Sequence, residues 1–461
     1  LDPCCGTGAY LVEVLRLIAG RMTARDGATM AALDVAKAMR ERIFGFELLP
    51  APFVVAHLQL GLLLTELGAP LKHNERAGVY LTNSLTGWEP PKDPKTIMFP
   101  ELEKERDAAD QVKRQQKILV ILGNPPYSGY AGVAVDEERT LTDAYRTTAR
   151  APKPQGQGLN DLYVRFFRMA ERKITGGEGR GIVSYISNYS WLDGLSHTGM
   201  RERFLDAFDS ITVDSLNGDK YRTGKTTPEG LSDPSIFSTD FNREGIQVGT
   251  AIVTMIRRGE TSGVRSIRFR NLWGVGKRAQ LAAEAGETAA VSYQDVTPSV
   301  EIGYPFAPAT VGADYLTWPK LPELFPVSFP GVKTSHDDLV VDIDRERLAE
   351  RMTQHLTASA KFDPSLVVRF AYRPFDVRWL YWDINILDRP RPEYFPHVQP
   401  GNVWLASTAH SRREWSKSYF TTVMGSLHLD ERGANIFPLY LYPRDMFDTY
   451  RPNLSDKAQA Y

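Results

Sequence analysis

The sequence predicts a doubly wound α/β domain with a largely parallel sheet, followed by an α+β region, and three observations carry that prediction. Strand-like apolar runs alternate with helix-periodic segments through the first half of the chain. A glycine-containing turn, Asp2 to Gly8, joins what reads as a strand end to the first helix. Beyond about residue 260 the alternation stops, and proline and aromatic residues take over.

Taken in order, Leu11, Val14, Leu15 and Ile18 recur at helical spacing after the turn. Residues 43–47 read as a short buried strand, 51–67 as an apolar helix and 79–81 as a third strand. Residues 90–116 form a charged, proline-punctuated insertion, expected as a solvated helix. Residues 118–122 read as a strand buried on both faces. The polar stretch 128–160 holds Pro152, Pro154, Gly156 and Gly158 and is expected to be a mobile loop. Residues 162–174 have amphipathic helical spacing, and strands at 181–187, 211–216 and 250–256 are expected to complete the sheet. The expected division is an α/β domain at 1–260, a connecting region at 261–330 and an α+β region at 331–461.

Length and composition narrow the class. A chain of 461 residues is too long for one ordinary core. With 42% hydrophobic and 24% charged residues it reads as soluble and globular, with no apolar run able to span a bilayer and no signal-peptide pattern. The two cysteines, Cys4 and Cys5, are adjacent, which suits neither a disulfide nor a metal cluster and fits a reducing, cytoplasmic setting. The eight histidines lack metal-ligand spacing, so no metal site is expected. Lys+Arg (55) and Asp+Glu (56) nearly cancel, so net charge does not advertise a nucleic-acid partner. The chain opens on Leu1 at an apparent strand end, and an upstream segment is expected.

Two elements carry chemistry. In Asp2-Pro3-Cys4-Cys5-Gly6-Thr7-Gly8 the glycines allow close approach of a ligand, and the helix amides that follow favour an anion. Glu47, at the next strand end, is placed to accept ribose hydroxyls. Asn124-Pro125-Pro126-Tyr127 follows the strand at 118–122 as a rigid turn. The Asn124 side-chain oxygen and the Pro125 carbonyl are fixed acceptors suited to holding the two hydrogens of one planar amine. Tyr127 offers a face for a base to stack on. The Gly218–Thr226 loop ends in Gly-Lys-Thr but is one residue too long for a phosphate-binding loop.

This ordered set resembles that of adenine-N6 DNA methyltransferases. Asn83-Ser84-Leu85 stands where that family usually has Asp-Ser-Leu at the cofactor's adenine, and residues 162–167 resemble the helix lining the cofactor pocket. Asn217-Gly218-Asp219 with the following Gly230 to Phe237, Gly249-Thr250-Ala251-Ile252, Gly331-Val332-Lys333-Thr334, Tyr372-Arg373-Pro374-Phe375-Asp376 and Phe437-Pro438-Leu439-Tyr440-Leu441-Tyr442 extend the resemblance to the large methyltransferases of Type ISP restriction–modification enzymes. It implies a Rossmann-like S-adenosylmethionine-dependent fold with a C-terminal target-recognition region. Asp2, Pro3, Cys4, Gly6, Thr7, Gly8, Glu47, Asn83, Ser84 and Asn124 would then hold S-adenosylmethionine, and Asn124, Pro125, Pro126 and Tyr127 would hold a flipped adenine. Double-stranded DNA is the implied partner, with Lys220, Arg222, Lys225, Arg389, Arg391 and Arg412 as candidate contacts. An upstream nuclease and helicase-like region is implied as well. Two rivals remain open: a methyltransferase acting on a protein glutamine or an RNA base, and a catalytically inactive DNA-binding module.

Overall fold

Leu1 and Asp2 join two groups of strands into one sheet. In the computed structural model, which describes every residue except 90–99, 129–135, 260–262, 265, 287–290, 310–313, 357–360, 409–417, 430–432 and 460–461, the Leu1 amine donates to the Val120 carbonyl and the Leu122 amide to the Leu1 carbonyl. On the other side the Asp2 amide donates to Phe44 and the Phe46 amide to Asp2, both at 2.9 Å. The parallel pair β1 (Gly45–Glu47) and β2 (Val79–Leu81) is thereby tied to β3 (Val120–Gly123), the first strand of a six-stranded sheet.

Helices cover both faces of the sheet, whose six-stranded part is mixed and not largely parallel as expected, with three of its five pairings antiparallel. On one side α1 (Ala9–Asp26), α2 (Ala28–Glu41) and α3 (Pro50–Glu66) bury Leu11, Leu15, Val35, Met39, Leu60 and Val79 in one cluster. Gly27, with φ of 81°, separates α1 from α2, and Pro50 opens α3 at a position where no amide is needed. Phe44 and Phe46, which alternate with Ile43 and Gly45, face the other cluster with α4 (Pro100–Gln115).

The charged insertion thus yields the expected helix, but Ala109, Val112 and Lys113 anchor it. The strand at 118–122 differs from its expected double burial. Leu119 and Val120 are 45% and 42% exposed and line a groove of about 420 Å³ with Leu11, Ile18 and Ile43.

The stretch 136–160 is packed, not a mobile loop. Helices α5 (Asp136–Arg139) and α6 (Asp143–Arg146) bury Glu138, Leu141 and Tyr145. Glu138 pairs with Arg165 and the Tyr145 hydroxyl donates to Glu171, both partners lying on α7 (Leu162–Gly176). Glu202 of α8 (Thr198–Ala207) accepts the amides of Ala149, Arg150 and Ala151. Polar anchors hold this segment where hydrophobic pattern does not.

Next come β4 (Gly181–Asn188), β5 (Ser210–Asn217) and β6 (Thr250–Arg257), with β6 antiparallel between the other two. The sheet does not end there as expected. β7 (Ile267–Asn271) pairs parallel with β5, and β8 (Gln294–Val296) pairs with β7 beyond α9 (Lys277–Gly286). Buried Arg201 ties this region together by donating to the carbonyls of Trp191, Gly194 and Gly303.

The chain divides into two compact units, Leu1–Thr310 and Val311–Tyr461. In the second, α10 (Leu321–Leu324) precedes β9 (Phe329–Pro330), and α11 (Asp337–Val340) leads into β10 (Val341–Asp342). Helix α12 (Arg345–His355), capped by Asp344, is followed by the hairpin β11 (Val367–Arg373) and β12 (Asp376–Tyr381). Strands β13 (Trp404–Thr408), β14 (Tyr419–Thr421), β15 (Met424–Gly425) and β16 (Ala434–Pro438) complete two four-stranded sheets. Tyr394 and Trp404 lie fully in their shared core, as expected of residues that fill a small domain. No helix among the described residues is long and apolar enough to cross a membrane.

Replacing Arg201 with leucine leaves the buried carbonyls of Trp191 and Gly303 without donors, while that of Gly194 keeps the His197 amide. The expected loss is about 3 kcal/mol of unfolding free energy, read by urea denaturation. A loss below about 1 kcal/mol would show that these carbonyls find other donors.

Candidate active site

The glycine turn, Glu47, the 83–85 loop and the Asn124 turn meet at the carboxyl ends of β1, β2 and β3, where open α/β sheets bind ligands. Gly6 (φ 55°) and Gly8 (φ 87°) are left-handed, and a Cβ on Gly8 would lie 3.2 Å from that of Ala56. The Gly6 amide donates to Glu47 Oε2 at 2.9 Å, while Leu48 and Leu49 donate to Oε1. This fixes the carboxylate and leaves an Oε2 lone pair for a further donor such as a ribose hydroxyl. Ser84, buried, donates to the Pro3 carbonyl, linking the loop after β2 to the turn. Asn83 Oδ1 accepts the Leu85 amide, so one of its lone pairs is already taken. Thr7 is exposed.

Asp2 is fully buried. One oxygen accepts the Cys4 amide at 3.1 Å; the other has no hydrogen-bond partner. Burial pushes its carboxyl up to about 6, against the amide bond to Cys4 that pulls it down. A Cβ on Gly123 would stand 2.5 Å from Asp2 Oδ1, so only glycine fits there. Tyr185, opposite Gly123 in the β3–β4 register, also has a buried hydroxyl without a partner. These orphaned atoms fit S-adenosylmethionine, whose ammonium and sulfonium centres are the charges a buried carboxylate lacks. Burial raises the Cys4 and Cys5 thiols, so neither is a thiolate nucleophile near neutral pH.

At the second element Asn124 is half-buried and Pro125 buried. The Tyr127 hydroxyl lies 2.9 Å from Asn124 Oδ1 and 3.3 Å from the Ile186 carbonyl, and its ring meets Tyr163 edge-on. Burial raises the Tyr127 hydroxyl well above its ordinary range, so it stays a donor and not a base. Asn124 Oδ1 therefore keeps one free lone pair. Asp161, just before α7, accepts the Ser128 amide, and the Leu162 amide donates to Ser128, which fixes the exit of the turn.

Three residues around this site escaped the sequence reading. Lys113 donates to Thr82 Oγ1 and to the carbonyls of Asn83 and Thr86, each at 2.8 Å, with burial lowering its ammonium to about 8. Its place in a highly charged helix hid it. Tyr10, whose hydroxyl burial pushes up to about 12 with Asp2 and Cys4 nearby, and Tyr185 sat in runs that read as ordinary core.

Of the candidate DNA contacts, three are already engaged within the first unit. Lys220 pairs with Glu244, Arg222 pairs with Asp193 over the Tyr189 ring, and Lys225 donates to the Glu244 carbonyl. Arg389 exchanges backbone bonds with Lys333 in the second unit, and Arg391 has φ of 57°. Arg412 lies outside the described residues, as do His410, Arg413 and Trp415.

The Asp2 carboxyl binds its proton more tightly folded (about 6) than unfolded (3.8). Its contribution is fully present below pH about 4 and is lost as pH rises through about 6. Asp2→Asn is therefore expected to raise the melting temperature of the ligand-free protein at pH 7.5 by a few degrees and to match wild type near pH 4. Identical pH profiles of melting for the two proteins would contradict the buried, unpaired carboxylate.

Comparison with known proteins places the fold. Residues 354–460 match the model of the Type ISP C-terminal specificity domain. No curated protein matches the chain. Among solved structures it aligns over its whole length with a nuclease-deletion mutant of the Type ISP restriction–modification enzyme LlaGI in complex with a DNA substrate mimic, at 14% identity, TM-score 0.74 and 40% of that chain. It aligns likewise with DrdV in a DrdV–DNA complex (19%, 0.70, 47% of that chain) and with the ATP-dependent Type ISP enzyme LlaBIII bound to DNA (18%, 0.70, 33%). The chain spans less than half the length of each. Residues 354–460 thus match a Type ISP C-terminal specificity domain, and the chain as a whole has the fold of the methyltransferase and target-recognition part of Type ISP restriction–modification enzymes.

Proposed function

We propose that this chain is the methyl-transferring and target-recognising part of a site-specific DNA adenine-N6 methyltransferase within a longer restriction–modification or phage-defence enzyme. Its methyl-transferring domain would take residues 1–260 together with β7 and β8, which continue the same sheet, with recognition in 331–461. The observation that carries the reading is the Asn124–Tyr127 turn beside the unpaired Asp2 carboxylate. It sets fixed acceptors for an amine next to a buried anion that lacks a cation.

In this reading Asp2 holds a positive centre of the cofactor, Glu47 Oε2 accepts from its ribose, and the 82–86 loop, pinned by Lys113, lies against its adenine. S-adenosylmethionine, when bound, supplies an electrophilic methyl group. The chain's own task is orientation. Asn124 Oδ1 and the Pro125 carbonyl accept the two N–H bonds of a flipped adenine's amine, with Tyr127 against the base. Held so, the nitrogen lone pair is nucleophilic enough without a covalent enzyme intermediate, and catalysis rests on positioning and charge placement. Lys220, Arg222 and Lys225 would reach DNA phosphates by exchanging their present partners.

Nucleoside mass spectrometry on DNA from cells expressing the chain is expected to show 6-methyladenine, absent with Asn124→Ala. Should none appear, the same assay on the chain joined to its upstream region decides. Silence there too sinks the DNA-adenine reading and turns attention to protein glutamine or RNA.

A further inference from the structure

The hairpin joining β11 and β12 carries the motif Tyr372-Arg373-Pro374-Phe375-Asp376, which has no task in the active site. β15 pairs with β11 at Phe370 and Ala371, and β10 pairs with β12 at Trp379 and Leu380. Residues 372–378 run past both neighbours as a two-stranded ribbon closed by the pair Arg373 and Asp376. At its tip Phe375 is 94% exposed and has φ of 60°. A bulky side chain in the left-handed region is strained, and little burial offsets the strain here; its ring meets Tyr419 edge-on at 6.0 Å. Glycine or asparagine would hold this turn with less strain, so stability does not account for a phenylalanine.

Arginines stacked on aromatic rings flank the tip. The guanidinium carbons of Arg373 and Arg378 lie 4.1 and 4.3 Å from the centre of the Tyr372 ring, and those of Arg369 and Arg345 lie 4.9 and 5.5 Å from that of Trp379. Arg369 opposes Trp379 and Phe370 opposes Arg378, so the two stacks occupy opposite faces of the hairpin. Asp376 pairs with Arg378, and Asp337 accepts the Tyr372 hydroxyl. Arg345, Arg369 and Arg373 have no carboxylate partner among the described residues. Stacking extends these side chains and leaves N–H donors to offer, although Arg373 Nη1 already donates to the Tyr372 carbonyl.

We propose that this ribbon enters a groove of duplex DNA, with Phe375 against the bases and Arg345, Arg369 and Arg373 on the flanking phosphates. The proposal rests on the DNA reading above and names the surface that makes the contact. A major groove about 12 Å wide admits a two-stranded ribbon. Arg373 on the ribbon, with Arg369 and Arg345 at its base on the opposite face, puts cations toward the phosphates of both strands, and an exposed apolar tip suits thymine methyls or a base step.

The test is fluorescence anisotropy of the whole chain with a fluorescein-labelled 30-base-pair duplex of mixed sequence across a salt series. Wild type is compared with Phe375→Gly and Arg369→Ala, with melting temperature and calorimetric S-adenosylmethionine binding measured for each. Phe375→Gly is expected to melt at or above wild type, to bind the cofactor unchanged and to lose about tenfold in DNA affinity. Arg369→Ala is expected to lower the log–log salt slope by about one. Affinities and slopes equal to wild type overturn the hairpin proposal and leave the methyltransferase reading standing. A wild type that binds no duplex overturns the DNA reading, and this proposal with it.

Discussion

The first unit is organised around the burial of Asp2. Its backbone pairs with Phe44 and Phe46 while that of Leu1 pairs with Val120 and Leu122, so two residues make eight strands continuous. The same residue carries a carboxylate into a fully buried position where one of its oxygens has no hydrogen-bond partner, and the neighbours are cut to fit it. Gly123 admits Asp2 Oδ1, and Gly45 leaves room for Leu11. Folding places the charge there at a cost, which a cationic ligand would recover. In the proposed function, stability and ligand binding would therefore be opposed at this position, as is common where a site must be preorganised.

Buried polar groups recur wherever the chain looked loose. Glu138 with Arg165, Glu171 with Tyr145 and Arg203, and Asp233 with Lys277 each replace apolar contact by a hydrogen-bonded charge pair or network. Removing one partner of such a pair strands the other, so these anchors specify a single arrangement even where their net stabilisation is small. Around the site this matters directly. Lys113 holds the 82–86 loop by three bonds, and Asp161 holds the exit of the Asn124 turn. Pocket walls are thus set by polar cross-links between segments far apart in sequence.

The second unit follows a different economy. Its two sheets share a core of Phe370, Leu380, Tyr394, Trp404 and Ile436, while arginines lie on aromatic rings at the edges. Stacked guanidinium groups cover apolar ring faces and remain charged. A small domain can in this way expose a cationic surface without loosening the core beneath it.

Much was determined by the sequence alone. The glycine turn, Glu47 and the Asn-Pro-Pro-Tyr turn were legible because their backbone demands, left-handed glycines and a proline-stiffened strand end, are local. The alternation of strand and helix was legible because burial on a two-faced sheet writes its own period. Tertiary structure decided what depends on partners distant in the chain. It packed 136–160 through Glu138, Tyr145 and Glu202, against the expectation from polar composition. It extended the sheet through β7 and β8, and it exposed Leu119 and Val120 along a groove. It also placed Lys113, Tyr10 and Tyr185 around the site and turned the Tyr127 hydroxyl onto Asn124. Hydropathy records whether a side chain prefers water; it does not record which buried hydrogen bond will replace it, and only the folded chain supplies that partner.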